Sequence, residues 1–516
     1  MKRLAGCAAF LLVAVAGMQP VMQPADVVVD AKGRTAGVAA PHVVDPETII
    51  ENVTLISPER SKPLLHASVV IRDGRIAEVG PNVVAGAHAR RIDGSGRFLI
   101  PGLIDSHVHV AHSAALDDDA IDAHPELWAA YQAQVPRAYL AFGFTSVVDL
   151  DLTQSSKAWF ESTPLHPHLY SCGQGIKVAG GYGAMNVPPV TSANFPNLVY
   201  EMEEAEHWPK GLDPSDYSPE RAVKRAADSG AICVKAFVES GFGIFHWPYL
   251  HTATLRQIRD AATARKLVLL VHATSVDSWR SAIDAKTDVI AHGLWIWPGD
   301  AADSRPPAGV RAVIAAAARA GVHVQPTLQT VGGERTMLDA SLLEDPRLAV
   351  ALPPSVIAYL RSAEGLKSRN ALLEEYRKAS PAPGFEVLLP AVIARTRATF
   401  KIMLQERVPL LFGSDTPAGD GFGNPPGLNG RLELQEWAQA GAPLALILRA
   451  ATLDNAVALG LGKKLGSIEV GKRADLLLLR QNPLTNVSAY DSIETIFLNG
   501  ESIERERLLS KGSDSH

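Results

Sequence analysis

Cysteine is nearly absent from this chain, with three in 516 residues, at Cys7, Cys172 and Cys233. A disulfide framework is thereby excluded as the main source of stability, and the fold must rest on an apolar core. Cys172 and Cys233 are expected as two buried free thiols. Aromatic residues make up only 6% and charged residues only 20%, and the net charge of -6 offers no basic surplus for a nucleic-acid surface. With 47% hydrophobic residues the composition is that of a globular enzyme and not of a disordered chain. No internal repeat of fixed period and no low-complexity tract is found.

Long apolar runs are also scarce. The run "LAGCAAFLLVAVAG" follows Met-Lys-Arg and falls short of the ~20 residues a membrane span needs. It carries the small-x-small site Ala14-Val15-Ala16, so residues 1–16 read as a secretory signal peptide and the mature protein as exported, periplasmic or extracellular. Residues 17–45, rich in Pro, Ala and Val, read as a linker.

Two β-patterned flanks are present. From Thr48 to Phe98, "ENVTLIS", "LLHASVVIRDGRIAEVG" and "ARRIDGSGRFLI" show short strands around an Asp73-Gly74 turn. "GSIEVGKRADLLLLR" and "SIETIFLNGESI" repeat this character near the other end. Residues 46–102 plus 460–508 are therefore expected to form one composite β domain, a β-sandwich. Between the flanks, eight apolar runs alternate with helical stretches: "GLIDSHVHV", "FTSVVDL", "HLYSCGQ", "AICVKAFV", "LVLLVHAT", "DVIAHGL", "VHVQPTL" and "VPLLFGSDT". The alternation predicts an α/β fold, a (β/α)8 TIM barrel over residues 103–459, with a site at the strands' C-terminal ends. The long interval between the last two runs predicts a lid insertion at about 331–400.

Side chains alternate along a strand, so His107 and His109 of "PGLIDSHVHV" face one way and could grip one metal ion. Lys235, His272, His292 and Asp415 occupy the same relative place in later units. Singly, each has an ordinary explanation: His272 and His292 as core histidines, Asp415 as a helix N-cap, Lys235 as one half of a buried ion pair. Together they form a constellation. His246, in the loop after the Lys235 run, is a candidate substrate contact, whereas His112, His124, His166, His168, His207 and His323 read as structural or surface residues.

"PGLIDSHVH", "VKAFV", "VHA", "AHG" and "GSDT", in this order, with the tail "ATLDNAVALGLGKKLGSIEVGKRADLLLL", resemble the amidohydrolase superfamily of metal-dependent hydrolases. The lysine resembles that of the binuclear branch that includes bacterial prolidases and other Xaa-amino-acid peptidases. The resemblance implies two divalent ions, zinc by preference. It assigns His107, His109, Lys235 and Asp415 to one ion and Lys235, His272 and His292 to the other, with hydroxide between them. It implies a carbamate on Lys235, formed with carbon dioxide, and Asp415 as the catalytic proton acceptor. Where prolidase-like members carry Gly-Gly-His, this chain reads "VAGGYGAMN". That puts Tyr182 in the place of a substrate-contacting histidine. The expected activity is hydrolysis of a carbon–nitrogen amide bond in a dipeptide or N-acyl amino acid. The alternatives are a mononuclear cyclic-amide hydrolase resembling imidazolonepropionase, and an inactive scaffold. The expected partner is a small-molecule substrate, with no nucleic acid and no membrane span, and a homo-oligomer remains open.

Overall fold

A computed structural model describes residues 47–184, 197–243, 245–417 and 421–509. The expected signal peptide and the whole of the expected linker lie outside the described residues. In chain order the strands are β1 (Thr48–Leu55), β2 (Leu64–Arg72), β3 (Arg75–Gly80), β4 (Arg90–Asp93), β5 (Phe98–Pro101), β6 (Leu103–Val108), β7 (Phe144–Asp149), β8 (His168–Ser171), β9 (Cys233–Phe237), β10 (Val268–His272), β11 (Val289–Ala291), β12 (His323–Gln325), β13 (Leu476–Leu479), β14 (Ile493–Leu498) and β15 (Glu501–Glu504).

One sheet takes strands from both ends of the chain, in the order β15-β14-β13-β5-β1-β2-β3 with β4 on β1. Its two tight hairpins follow from their turn residues. Asp73-Gly74 and Asn499-Gly500 hold φ of 49°, 72°, 52° and 83°, the left-handed pair that closes a two-residue hairpin with the right twist. The run of four leucines in β13 is apolar throughout because both faces of the sheet are covered. Leu476 and Leu478 enter a core with Ile50, Val53 and Phe497, while Leu477 and Leu479 face the larger core with Leu103 and Phe144.

The middle of the chain forms two parallel sheets, β6-β7-β8 and β12-β11-β10-β9. Strand parity divides their side chains. Ile104, Val148, Cys233, Leu270 and Val289 gather in one buried apolar cluster drawn from both sheets, while their neighbours Leu103, Val147, Val234, Leu269 and Ile290 join the outer core. Lys235 and His272 lie two residues beyond Cys233 and Leu270 and so share their face.

The eighth apolar run, 408–416, is not a regular strand. It touches the neighbouring strands through the parallel bridges Val324↔Leu410 and Val108↔Thr416, and Ile176↔Ala236 joins the β8 segment to β9. Pro409 has no N–H to give. The Phe412 carbonyl accepts from Ser106 Oγ at 2.6 Å and Asn455 Nδ2 at 2.7 Å as well as from backbone, so side chains replace part of the ladder. Close approach also demands Gly413, where a Cβ would stand 2.7 Å from that of His107.

Cys172 and Cys233 are joined in a disulfide, which corrects the expectation of free thiols. Ile232 N donates to Ser171 O at 2.9 Å, so β8 and β9 are neighbours and bring the two cysteines side by side. Their sequence separation of 61 hid that adjacency.

Residues 331–400 fold into successive helices, ending in the long helix Phe385–Gln405. Met337, Tyr376, Phe385, Leu388 and Leu389 form a separate small core for this segment. Arg395 ties it to the chain after β11 by donating to the carbonyls of Asp300 at 2.8 Å and Asp303 at 3.0 Å.

Candidate metal centre

Four elements converge on Asp415. His107 Nε2 and His109 Nε2, from the end of β6, each lie 3.1 Å from Asp415 Oδ1. His292 Nδ1, just past β11, lies 3.7 Å from Asp415 Oδ2. The His272 ring at the end of β10 is centred 4.5 Å from that of His292 and packs against it edge-on. Ligand atoms of His107, His292 and Asp415 all fall within 4.8 Å of one another. Lys235 is buried, and burial lowers its amine to about 7 against the opposing pull of Asp415 and Asp151. Its charge reaches all four histidines.

The polar atoms here are not satisfied by one another. Both Asp415 oxygens, both ring nitrogens of His107, Nδ1 of His109, Nε2 of His272 and Nζ of Lys235 are buried without a hydrogen bond, since the 3.1 Å contacts are close but poorly aligned. Buried polar groups left unpaired are expensive. A set of imidazoles, a carboxylate and an amine in this condition is the donor chemistry a divalent cation satisfies. Burial takes His107 down to about 3, so its ring is neutral and one of its nitrogens offers a lone pair. Burial works to raise Asp415, but the histidines around it, His107 and His292 foremost, hold its carboxyl well below the usual range.

Backbone geometry aims the carboxylate. Asp415 has φ of +57°, and its N–H donates to the His107 carbonyl at 2.7 Å. Ser414 O accepts from Thr330 Oγ1 and Asn429 Nδ2, each at 2.8 Å. On the other side, Asp149 accepts from Val110 N at 2.7 Å and so holds the chain that leaves His109.

Tyr182 is buried with its ring 4.7 Å from that of His272, beside Phe237, Phe242 and Trp247. His246 is exposed in the loop after β9. His112 stacks on His109 with ring centroids 5.2 Å apart, closer to the centre than its reading as a structural residue implied. Lys177 pairs with Asp151 at 2.5 Å. Sequence reasoning passed over Asp105, which accepts the His107 N–H at 3.2 Å, Glu239, whose Oε2 lies 3.5 Å from Nε2 of His272, and Thr327, whose hydroxyl meets Nδ1 of His292 at 3.0 Å. Asp105 lies inside the opening motif and Glu239 four residues past Lys235, so spacing offered a signal for both. Glu433, on a distant helix, offered none.

Parallel strands that present histidines and a lysine at their ends to one buried space, completed by an aspartate from the irregular segment beside them, define the class: an α/β protein with a metal-type donor centre. The chain belongs to the amidohydrolase family, whose model matches residues 98–503, well over half of the chain. It is similar to a dihydroorotase of Trichlorobacter lovleyi, 27% identical over 219 residues, 39% of this chain and 47% of that protein. It is also similar to an imidazolonepropionase of Stenotrophomonas maltophilia, 26% identical over 261 residues, 46% of this chain and 60% of that protein. These matches thus span about half the length of the curated relatives. Among solved structures, a putative prolidase from Bifidobacterium longum superposes with a TM-score of 0.61 at 20% identity, covering 91% of this chain and 97% of that one, which shows a shared fold.

Proposed function

We propose that this protein is a metal-dependent hydrolase of a carbon–nitrogen amide bond in a dipeptide or N-acyl amino acid. The observation that carries the reading is the buried, unpartnered donor set of His107, His109, Lys235, His272 and Asp415, completed by His292. His107, His109, Lys235 and Asp415 would hold one divalent ion and Lys235, His272 and His292 a second, with zinc suited to such donors. Bound there, the ions would lower the pKa of a water molecule and polarise the substrate carbonyl.

The chain's own groups do the rest. Asp415 takes the proton that the attacking water gives up and delivers it to the leaving nitrogen. Tyr182, beside His272, can donate its phenol hydrogen to the substrate carbonyl. The neutral Lys235 amine can form an N–C bond with carbon dioxide and release a proton, becoming an anionic carbamate with two oxygens. Residues 331–400 act as a lid, the sheet built from both chain ends as a separate domain, and the bridges at Leu410, Thr416 and Ile176 support closure of the two parallel sheets into a barrel. The Cys172–Cys233 disulfide supports an exported protein, because such bonds persist in oxidising compartments.

A mononuclear reading, nearer to imidazolonepropionase, is favoured by the tight group of His107, His292 and Asp415, whose ligand-type atoms all lie within 4.8 Å of one another. Metal analysis of purified protein, with a screen of dipeptide, N-acyl amino acid and cyclic-amide libraries on the same sample, tests both. Two ions per chain and turnover of an open-chain amide are expected. One ion with turnover of cyclic amides alone would favour the second reading, and a protein that binds no divalent ion would overturn both.

A further inference from the structure

Thr327 follows β12 and precedes the helix Leu328–Gly333. In that place a threonine hydroxyl ordinarily caps the helix, accepting from the N–H groups of its first turn. Here it makes no such bond. Thr327 Oγ1 lies instead 3.0 Å from Nδ1 of His292, with both residues buried. The backbone of Thr327 sits at φ 45° and ψ 53°, in the left-handed region that a β-branched residue avoids. Something must hold it there.

Glu433 does so. Its carboxylate, fully buried, accepts from Leu328 N at 3.0 Å and Gln329 N at 2.5 Å. Those are the N–H groups that open the helix, so a distant glutamate has taken over the capping role and left the threonine hydroxyl for the histidine. Trp437 Nε1 donates to the same carboxylate at 2.7 Å and fixes it from its own helix.

We infer that Thr327 is a positioning residue for His292, fixing the orientation of its ring through the hydrogen bond at Nδ1, and that Glu433 holds Thr327 in the conformation this needs. The inference rests on the proposed metal centre. An imidazole whose second nitrogen is held by a hydrogen bond is fixed in ring orientation and tautomer, and loss of such a partner weakens metal affinity. A histidine pinned in this way keeps its place without an ion.

The test is zinc affinity, measured by competition with a chromogenic chelator on folded protein, for wild type, Thr327→Val, Thr327→Ser, Glu433→Gln and His292→Ala. Valine keeps the β-branched shape and removes the hydroxyl; about 10- to 100-fold weaker binding of one zinc ion is expected. Serine, which keeps the hydroxyl, should restore wild-type affinity, and Glu433→Gln should weaken binding in the same direction as Thr327→Val. If His292→Ala loses an ion while Thr327→Val and Glu433→Gln lower only the melting temperature and bind zinc as wild type does, Thr327 is merely structural and the inference is overturned. If His292→Ala itself binds zinc unchanged, the metal centre fails and takes the inference with it.

Discussion

Asp105 accepts the backbone N–H of Ser414 at 2.9 Å, joining β6 to a residue 309 positions away. The same carboxylate receives the Ser414 hydroxyl and the His107 N–H, the latter at 3.2 Å. One buried side chain therefore sets the spacing between the backbone that carries His107 and the backbone that carries Asp415. Replacement by asparagine keeps the shape but turns an NH2 group toward donors. Asp105→Asn should cost about 1–3 kcal/mol, read by urea denaturation, and should reduce the bound divalent ion. A variant with the wild-type midpoint and metal content would refute this positioning.

The Cys172–Cys233 bond is open to a direct chemical check. Thiol titration of the denatured, unreduced protein should find neither cysteine reactive. The double variant Cys172→Ala with Cys233→Ala should lose about 2–4 kcal/mol, and reductant should then have no further effect on its unfolding. Recovery of two free thiols from protein purified under oxidising conditions would contradict the bond.

Lys235 separates the binuclear from the mononuclear reading. Lys235→Ala should lower the metal content and abolish turnover, and short carboxylic acids should partly restore both by filling the vacant bridge. Lys235→Met, similar in volume but unable to bridge, should stay inactive even with bicarbonate. Equal metal content and activity in wild type and Lys235→Ala would make the lysine structural.

Glu433 leads to a dependence of stability on pH. Burial raises its carboxyl from 4.5 to about 8, opposed by the N–H groups of Gln329, Leu328 and Trp437. In that window the folded protein keeps a proton that the unfolded chain has lost. The associated stability is fully present below about 4.5 and is lost as pH rises toward 8. Melting temperatures from about pH 5 to about pH 9 should therefore fall more steeply for wild type than for Glu433→Gln, by the equivalent of a few kcal/mol over the range. Parallel profiles would show that Glu433 does not titrate there.

Much of this architecture was legible from period and turn chemistry alone. Seven of the eight apolar runs became strands, because alternating or fully apolar stretches of five or so residues bury well only when paired. The Asp73-Gly74 and Asn499-Gly500 hairpins follow from residues that tolerate positive φ. The eighth run departed because Pro409, Gly413 and the side chains that bind the Phe412 carbonyl replace ladder bonds with specific contacts, and hydrophobic period cannot register those.

His107, His109, Lys235, His272 and His292 could be singled out beforehand because a strand of period two sends its last inward residues to one face, and Asp415 because its run carries the "GSDT" motif even though it does not form a regular strand. Sequence by itself thus determined which side chains stand at strand ends and what donors they carry. Only the tertiary structure decided which groups meet across long intervals: Cys172 with Cys233, Asp105 with Ser414, and Glu433 with the helix that Thr327 would otherwise cap. Side-chain period is a local property of the backbone, whereas these pairings depend on the order in which strands and helices pack, and no spacing along the chain encodes that order.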